Sequence, residues 1–244
     1  MRLFEPEMPD WRSELGLAVV SRPLYEGAQA YRELAGPVID VRYRDIAFAS
    51  VGEGLGVNLF SGDNYRAGVA LGYDLGRRES DDLTHLRGLG DIGAAPVLKG
   101  FASFAFSRSV PLVLRADVRR ALGGTDGLQA DFQAYMPLPG SSKTLVMFAG
   151  PSVTLADRRY LQREFGVTAA QSLASGYPVY GAHAGAEAAG FGFSATRFLG
   201  DHWLLNVNLA GNHLLGSASG GPVIARTVQG QGSISFAYQW GQSP

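Results

Sequence analysis

The stretch Asn64–Gly76, NYRAGVALGYDLG, alternates with a period of two. Tyr65, Ala67, Val69, Leu71, Tyr73 and Leu75 fall on one face, and Arg66, Gly68, Ala70, Gly72 and Asp74 on the other. Successive side chains of a strand point to opposite faces, so this pattern is a strand with one apolar side. The second face carries Gly, Ala and paired Arg/Asp rather than the Lys and Glu of a solvated sheet. Similar alternation recurs in 111–121, 127–137, 202–213 and 228–240. These strands run to ten residues or more, beyond the usual ~5–6. A membrane-crossing strand needs about 9–11 residues. Apolar groups outward with small or polar groups inward is the pattern of a lipid-embedded barrel, and closure removes the sheet edges that hydrocarbon cannot solvate.

The rest of the chain agrees. Among 244 residues there are 33 Gly, 18% charged residues and no Cys. Gly is about double its usual share and charge is below the ~25% of soluble domains. A net charge of −1, with 2 Lys against 19 Arg and no basic tract, excludes an electrostatic nucleic-acid binder. A disulfide scaffold is excluded, and disorder requires a lower hydrophobicity than 46%. The longest run free of charged, amide and imidazole groups is Thr144–Ala156, too short for a transmembrane helix. A soluble ligand-binding barrel is disfavoured because the larger apolar face points outward. The N-terminus has no apolar leader, which implies either a cytoplasmic protein or a signal peptide already removed.

The expected fold is all-β: an antiparallel transmembrane β-barrel of 10–12 strands in up-and-down order. Strands are predicted at 12–21, 36–44, 46–60, 64–76, 93–107, 111–121, 127–137, 142–156, 182–198, 202–213 and 228–240. That count is odd, whereas bacterial barrels are even. Either 36–60 is one kinked strand, giving 10, or 177–198 is two strands meeting near Ala189-Gly190, giving 12. The alternation of long and short connections favours 10. Residues 1–11 read as a periplasmic tail, 12–240 as the barrel and 241–244 as a C-terminal extension. The long loop from Asp157 to Ser175 is expected to hold a short helix. Tyr43, Phe60, Tyr65, Tyr73, Phe106, Phe198, Trp203, Tyr238 and Trp240 lie near strand ends, as interface girdles do.

Candidate site residues are the charges of the inner face: Asp40, Arg42, Arg66, Asp74, Arg115, Asp117, Arg119, Asp131 and Glu187, with Arg44 and Arg197 beside them. They read either as a selectivity ring or as mutually neutralising pairs that fill the lumen; charges taken out of water must pair, which favours filling. With 157–175 as an external loop, Arg158, Arg159 and Arg163 read either as contacts for lipopolysaccharide phosphates or as a solvated face. Gly88–Gly93 matches G-x-G-x-x-G but lacks the strand-before, helix-after context of a dinucleotide site. The four histidines have no metal-ligand spacing. No G-x-S-x-G elbow exists, and a Ser/His dyad across strands is left open by spacing alone. No catalytic residue, metal or cofactor is expected.

Ordered local patterns add a resemblance. They are Tyr25-Glu26-Gly27 with Tyr31 and Gly36-Pro37, Tyr43-Arg44-Asp45, Gly54–Leu59, Leu89–Ile92, Ala130-Asp131, Phe165–Thr168, Ser175-Gly176 with Tyr180, Asp201–Trp203 and Ser219–Ile224. Together they resemble the MipA/OmpV family of outer-membrane proteins over about 15–240. Ile234, Phe236, Tyr238 and Trp240 are similar to the terminal strand signal for barrel assembly, although Gly241–Pro244 follow it. The resemblance implies a bacterial outer membrane location, periplasmic termini, a cleaved signal peptide and contact with lipid and lipopolysaccharide. It also implies a non-enzymatic scaffold for peptidoglycan remodelling, partnered by a periplasmic lytic transglycosylase and a murein synthase. Its partner surface is expected on Phe4–Trp11, Ser61–Asn64, Ser107–Val110, Pro137–Ser142 and Gly200–His202. A narrow channel for small polar solutes is the alternative.

Overall fold

The computed structural model describes residues 10–107 and 109–241. Twelve antiparallel strands form one closed barrel in sequence order. They are β1 (Trp11–Pro23), β2 (Tyr31–Tyr43), β3 (Ala47–Ser50), β4 (Gly54–Ser61), β5 (Tyr65–Asp74), β6 (Ala95–Ala105), β7 (Val113–Ala121), β8 (Leu128–Pro137), β9 (Leu145–Ala156), β10 (Gly185–Leu199), β11 (Trp203–Leu214) and β12 (Val228–Trp240). β12 closes on β1, from Ser13↔Trp240 to Ser21↔Gly232.

The strand number falls within the expected 10–12, at the upper end rather than the 10 that the loop alternation favours, and comes from neither of the two routes considered. Residues 182–198 do not fold back; β10 is one strand, bulged between Ala186 and Ala188. The extra turn is Val51-Gly52-Glu53, which splits 46–60 into β3 and β4. Gly54, at φ +89°, follows it, and Ser50 Oγ accepts the Gly52 and Glu53 N–H groups. A short Gly-containing turn held by a serine is compact enough to hide inside an apparently continuous strand pattern.

The outer surface is apolar. Leu15, Leu17, Val19, Val69, Leu71, Leu98, Phe132, Phe191 and Ile234 are all exposed, Leu17 at 73%. In a water-soluble sheet these would form the core; a belt of them around a closed barrel marks the lipid-facing surface of a transmembrane barrel. One end carries the aromatic girdle. Trp11 packs on Tyr43 at 4.7 Å, and Trp203 stacks on Phe236 at 4.7 Å and meets Tyr238 edge-on at 5.0 Å. Phe198 is a correction: its pairing with Leu204 turns it into the lumen, where it lines the cavity.

The two barrel ends differ. Turns at 44–46, 62–64, 106–112, 138–144 and 200–202 are short and share one end with the aromatic girdle. The other end receives 24–30, 75–94, 157–184 and 215–227, which fold into a cap. The cap contains α1 (Arg158–Phe165), α2 (Ala169–Ser175) and α3 (Gly216–Ser219). Asp157 accepts from the Tyr160 N–H at 2.8 Å and Thr168 from the Gln171 N–H at 3.3 Å, so both longer helices start on side-chain caps. Among the described residues, the largest fully buried side chains all lie in the cap: Leu86, Leu161, Phe165, Val167 and Val223.

Close strand approach depends on small residues. A Cβ on Gly150 would run into the Ala134 carbonyl of β8, whereas one on Gly192 would have its nearest neighbour, the Leu209 carbonyl, at 3.9 Å. Gly150→Ala is expected to destabilise the barrel by about 1–3 kcal/mol, the usual cost of overpacking. Gly192→Ala should be near neutral. Urea unfolding of refolded protein, followed by the heat-modifiable gel shift, separates the two.

Candidate functional site

The lumen is built from the inward face of each strand. A cavity of about 1750 Å³ runs through it. The sequence-predicted charges lie on this wall because Asp40, Arg42, Arg66, Asp74, Arg115, Asp117, Arg119 and Asp131 share the inward parity of their strands.

Most of them are brought together in pairs. Arg42 forks onto Asp40 at 2.8 and 2.9 Å and reaches Glu53 at 2.8 Å. Arg115 forks onto Asp117 at 2.7 and 3.0 Å. Arg119 meets Asp131 at 2.8 Å, and Asp131 also accepts from Thr154 Oγ1 at 2.7 Å. Arg66 pairs with Asp45 at 2.7 Å. Each fork joins residues two apart on one strand, whose side chains share a face. Two-pronged guanidinium–carboxylate pairs are the strong form of this contact and hold both groups rigid. Asp74 is used differently: it accepts the Gly76 N–H at 2.9 Å and shapes the turn into the cap.

Two arginines assigned inward by the sequence reading are corrected. Arg197 pairs opposite Leu205, has outward parity and is exposed. Arg44 sits in the 44–46 turn with φ +48°, bonded to Asp10 at 2.9 Å. Both lie at the girdle end, where a guanidinium reaches water and no inward pairing is needed.

Under the cap lies a second cluster that spacing did not reveal. Glu187 occupies the β10 bulge, is buried, and accepts from Gln129 Nε2 at 2.9 and 3.2 Å. Glu26, from the β1–β2 loop, shares a hydrogen bond with it; burial first and the Glu187 charge second push the Glu26 carboxyl well above its usual range. Glu26 is therefore the protonated partner that donates. From α1, the Glu164 carboxyl is pushed up to about 7 by burial, with Arg77 pulling the other way from 3.7 Å. Arg77, buried, also donates to the Glu164 carbonyl at 2.6 Å. Glu26, Glu164, Arg77 and Gln129 come from different loops and strands and share no sequence period, which is why the sequence reading missed them.

The cap seals by polar as well as apolar contacts. Gln229 accepts from the Gly27 N–H and donates to the Ala28 carbonyl, both at 3.0 Å. Gln171 Nε2 donates to the Leu89 carbonyl at 2.6 Å, and Tyr180 OH to the Ser217 carbonyl at 3.0 Å. The glycine motif belongs here. Gly88 and Gly90, at φ +78° and +73°, each donate an N–H at 2.9 Å to the Glu79 carboxylate. The anion-binding nest is filled by the chain's own side chain, so no dinucleotide is called for. His85 bonds Asp82 at 2.8 Å, and His202 Nδ1 meets the Gln239 carbonyl at 3.1 Å. Among the described residues no imidazole is bonded to a serine, and no His/Asp/Glu cluster is arranged to hold a metal. Ile234, Phe236, Tyr238 and Trp240, expected from the sequence to form an assembly signal, share the outward face of β12, with Tyr238 against Trp240 at 4.6 Å.

A family profile described as MltA-interacting protein MipA matches residues 15–240. The chain belongs to the MipA family. No curated protein matches the sequence. Among solved structures, a bacterial polysaccharide outer membrane secretin is similar at 9% identity and TM-score 0.45, over 95% of this chain and 98% of that one. The CymD monoaromatic hydrocarbon channel is similar at 8% and 0.41, over 97% and 90%. OprD from Pseudomonas aeruginosa is similar at 7% and 0.34, over 98% and 96%. The barrel of this family member stands on its own strand pairing.

The cap has a pH sign. Glu164 and Glu26 have raised values in the folded state, so their contribution is fully present below the ordinary value near 4.5 and is lost as pH rises. For Glu164 the loss runs through about 7. Amide exchange of 160–168, corrected for its intrinsic pH dependence, is expected to be faster at pH 8 than at pH 5. Glu164→Gln should flatten that difference.

Proposed function

We propose that this member of the family is a closed outer-membrane anchor on whose periplasmic end peptidoglycan-remodelling enzymes assemble, a lytic transglycosylase first and a murein synthase with it. The observation that carries this reading is the cap. Four interlocked loops with a buried apolar centre cover one mouth of the barrel. Axial passage would need that centre taken apart. Most of the lumen charges are neutralised in pairs, such as Arg42–Asp40 and Arg115–Asp117, which rigidify a wall more readily than they select an ion. Neither feature belongs to chemistry, and the reading is non-enzymatic. The family's name supplies the partner class.

In this reading the capped end faces outward and the girdle end, with both termini, faces the periplasm. Long loops outside and short turns inside is the usual arrangement of such barrels. Ile46 and Val110 are exposed on the short turns and offer apolar contact points. Of the expected tail (1–11) and extension (241–244), Met1 to Pro9 and Gln242 to Pro244 lie outside the described residues, as does Arg108 of the 107–110 turn, while Trp11 opens β1. At the outer end Arg158 and Arg163 are exposed on α1, placed for lipopolysaccharide phosphates, while Arg159 is engaged with Asp126 at 3.3 Å.

A second reading, a narrow channel for small polar solutes, is favoured by the unfilled lumen volume. Two measurements separate the readings. In planar bilayers the folded barrel is expected to stay silent, and deletion of 158–176 is expected to open it. In cells, a photo-crosslinking residue at Ile46 or Val110 should capture a lytic transglycosylase, and one at the 90%-exposed Leu173 of the cap should not. Stable conductance steps from the intact barrel, with no capture at either end, would overturn the anchor.

A further inference from the structure

The barrel is closed at the girdle end and incomplete toward the cap. β2 runs from Tyr31 to Tyr43, yet it pairs with β3 only over Asp40–Tyr43. The Val51 N–H bonds the Ile39 carbonyl at 3.0 Å, and there the β3–β4 hairpin ends. On its far side, β4 leaves β5 above Leu55↔Leu71. Above the 51–53 turn, two strands are missing between β2 and β5. Three interstrand spacings put their backbones roughly 14 Å apart, and 31–37 extend along the gap for roughly 20 Å. The Arg32–Asp81 ion pair, at 2.6 Å, bridges its top.

The edge is built to stay unpaired. In an antiparallel ladder, alternate residues turn their N–H and C=O toward one neighbour. Ile39 faces the gap, so Pro37, Ala35 and Glu33 do too. Pro37 has no N–H to offer, which blunts the edge against an added strand. Added Cβ atoms at Gly36 and Gly72 meet open space: nothing within 4 Å for the first, and only the Val97 carbonyl at 4.0 Å for the second.

The gap lies within the apolar belt and opens on the lumen. Outside are Pro37, Ala35 and Tyr73; on the lumen side β2 presents Leu34, Gly36 and Val38. The lumen cavity reaches the lower rim at 50–54 and both sides, at Ile39 and 71–75. Two cations line the same cavity without an ion pair among the described residues. Arg22 stands opposite Arg32 across β1–β2, and Lys99 is on β6. Unpaired backbone facing hydrocarbon is costly unless it lines a cavity wide enough for water, and this edge borders the lumen cavity of about 1750 Å³.

We infer that the gap between β2 and β5 is a lateral portal that admits an anionic amphiphile from the outer leaflet, its head in the lumen against Arg22 and Lys99 and its tail passing out between Val38 and Leu71. The inference is independent of the anchor reading, because a portal leads sideways under a cap that stays shut.

The test uses the folded barrel in phosphatidylcholine vesicles with palmitate carrying a mid-chain diazirine. A trimethylammonium amphiphile of the same tail is the charge control. Palmitate should label Val38 and Leu34 from the lumen side. Gly36→Trp with Gly72→Trp fills the gap at two positions where space exists; this variant should keep the gel shift and lose that labelling about tenfold, as should Arg22→Gln for palmitate alone. Competition by free palmitate assigns a single-tailed ligand, and competition by lipid A assigns a lipid headgroup. Labelling confined to outward residues such as Leu17, or unchanged in the double Trp variant, overturns the portal. Equal loss of both probes in Arg22→Gln overturns the anionic head.

Discussion

Hydrocarbon offers no hydrogen bonds, and this structure follows from that fact. Each backbone group at membrane depth must find a partner within the protein, so the sheet closes β12 onto β1. Closure fixes which face meets lipid. The apolar residues then lie outside, where Leu17 and Phe132 are exposed, and the polar residues lie inside. Pairing lapses over a long stretch at the β2 edge above Ile39, bordered by the lumen and carrying a proline where a donor would otherwise point.

With the usual core turned outward, stability within the wall comes from ladder bonds and from charge pairs such as Arg115–Asp117. Conventional packing is found in the cap instead, where Phe165, Leu86 and Val223 are buried among loops. Polar groups trapped beneath it are matched closely. Glu187 takes both bonds from Gln129 and a third from Glu26, and Glu79 fills the glycine nest. The cap is a folded unit that closes one mouth, and the lumen below it is left as a chamber.

The wall was legible because period-two alternation is a local property. Arg42, Arg115 and Asp117 could be placed inward from parity alone. Parity failed where the chain leaves the strand or reaches water: Arg44 sits in a turn, Arg197 faces out at the girdle, and Phe198 faces in. The Val51–Glu53 turn was hidden because two short strands joined by three residues keep an apolar rhythm. The sequence reading saw Glu187 but not Glu26, which arrives from a loop far away in the chain.

Residue order alone carried the barrel, its lipid-facing side and the family, because each rests on residues near one another in the chain or in fixed order along it. The tertiary structure alone decided the strand number, the cap that covers one mouth, the buried carboxyl cluster and the gap beside β2. Those depend on which loops meet and where a ladder stops, and such contacts join residues with no spacing rule between them.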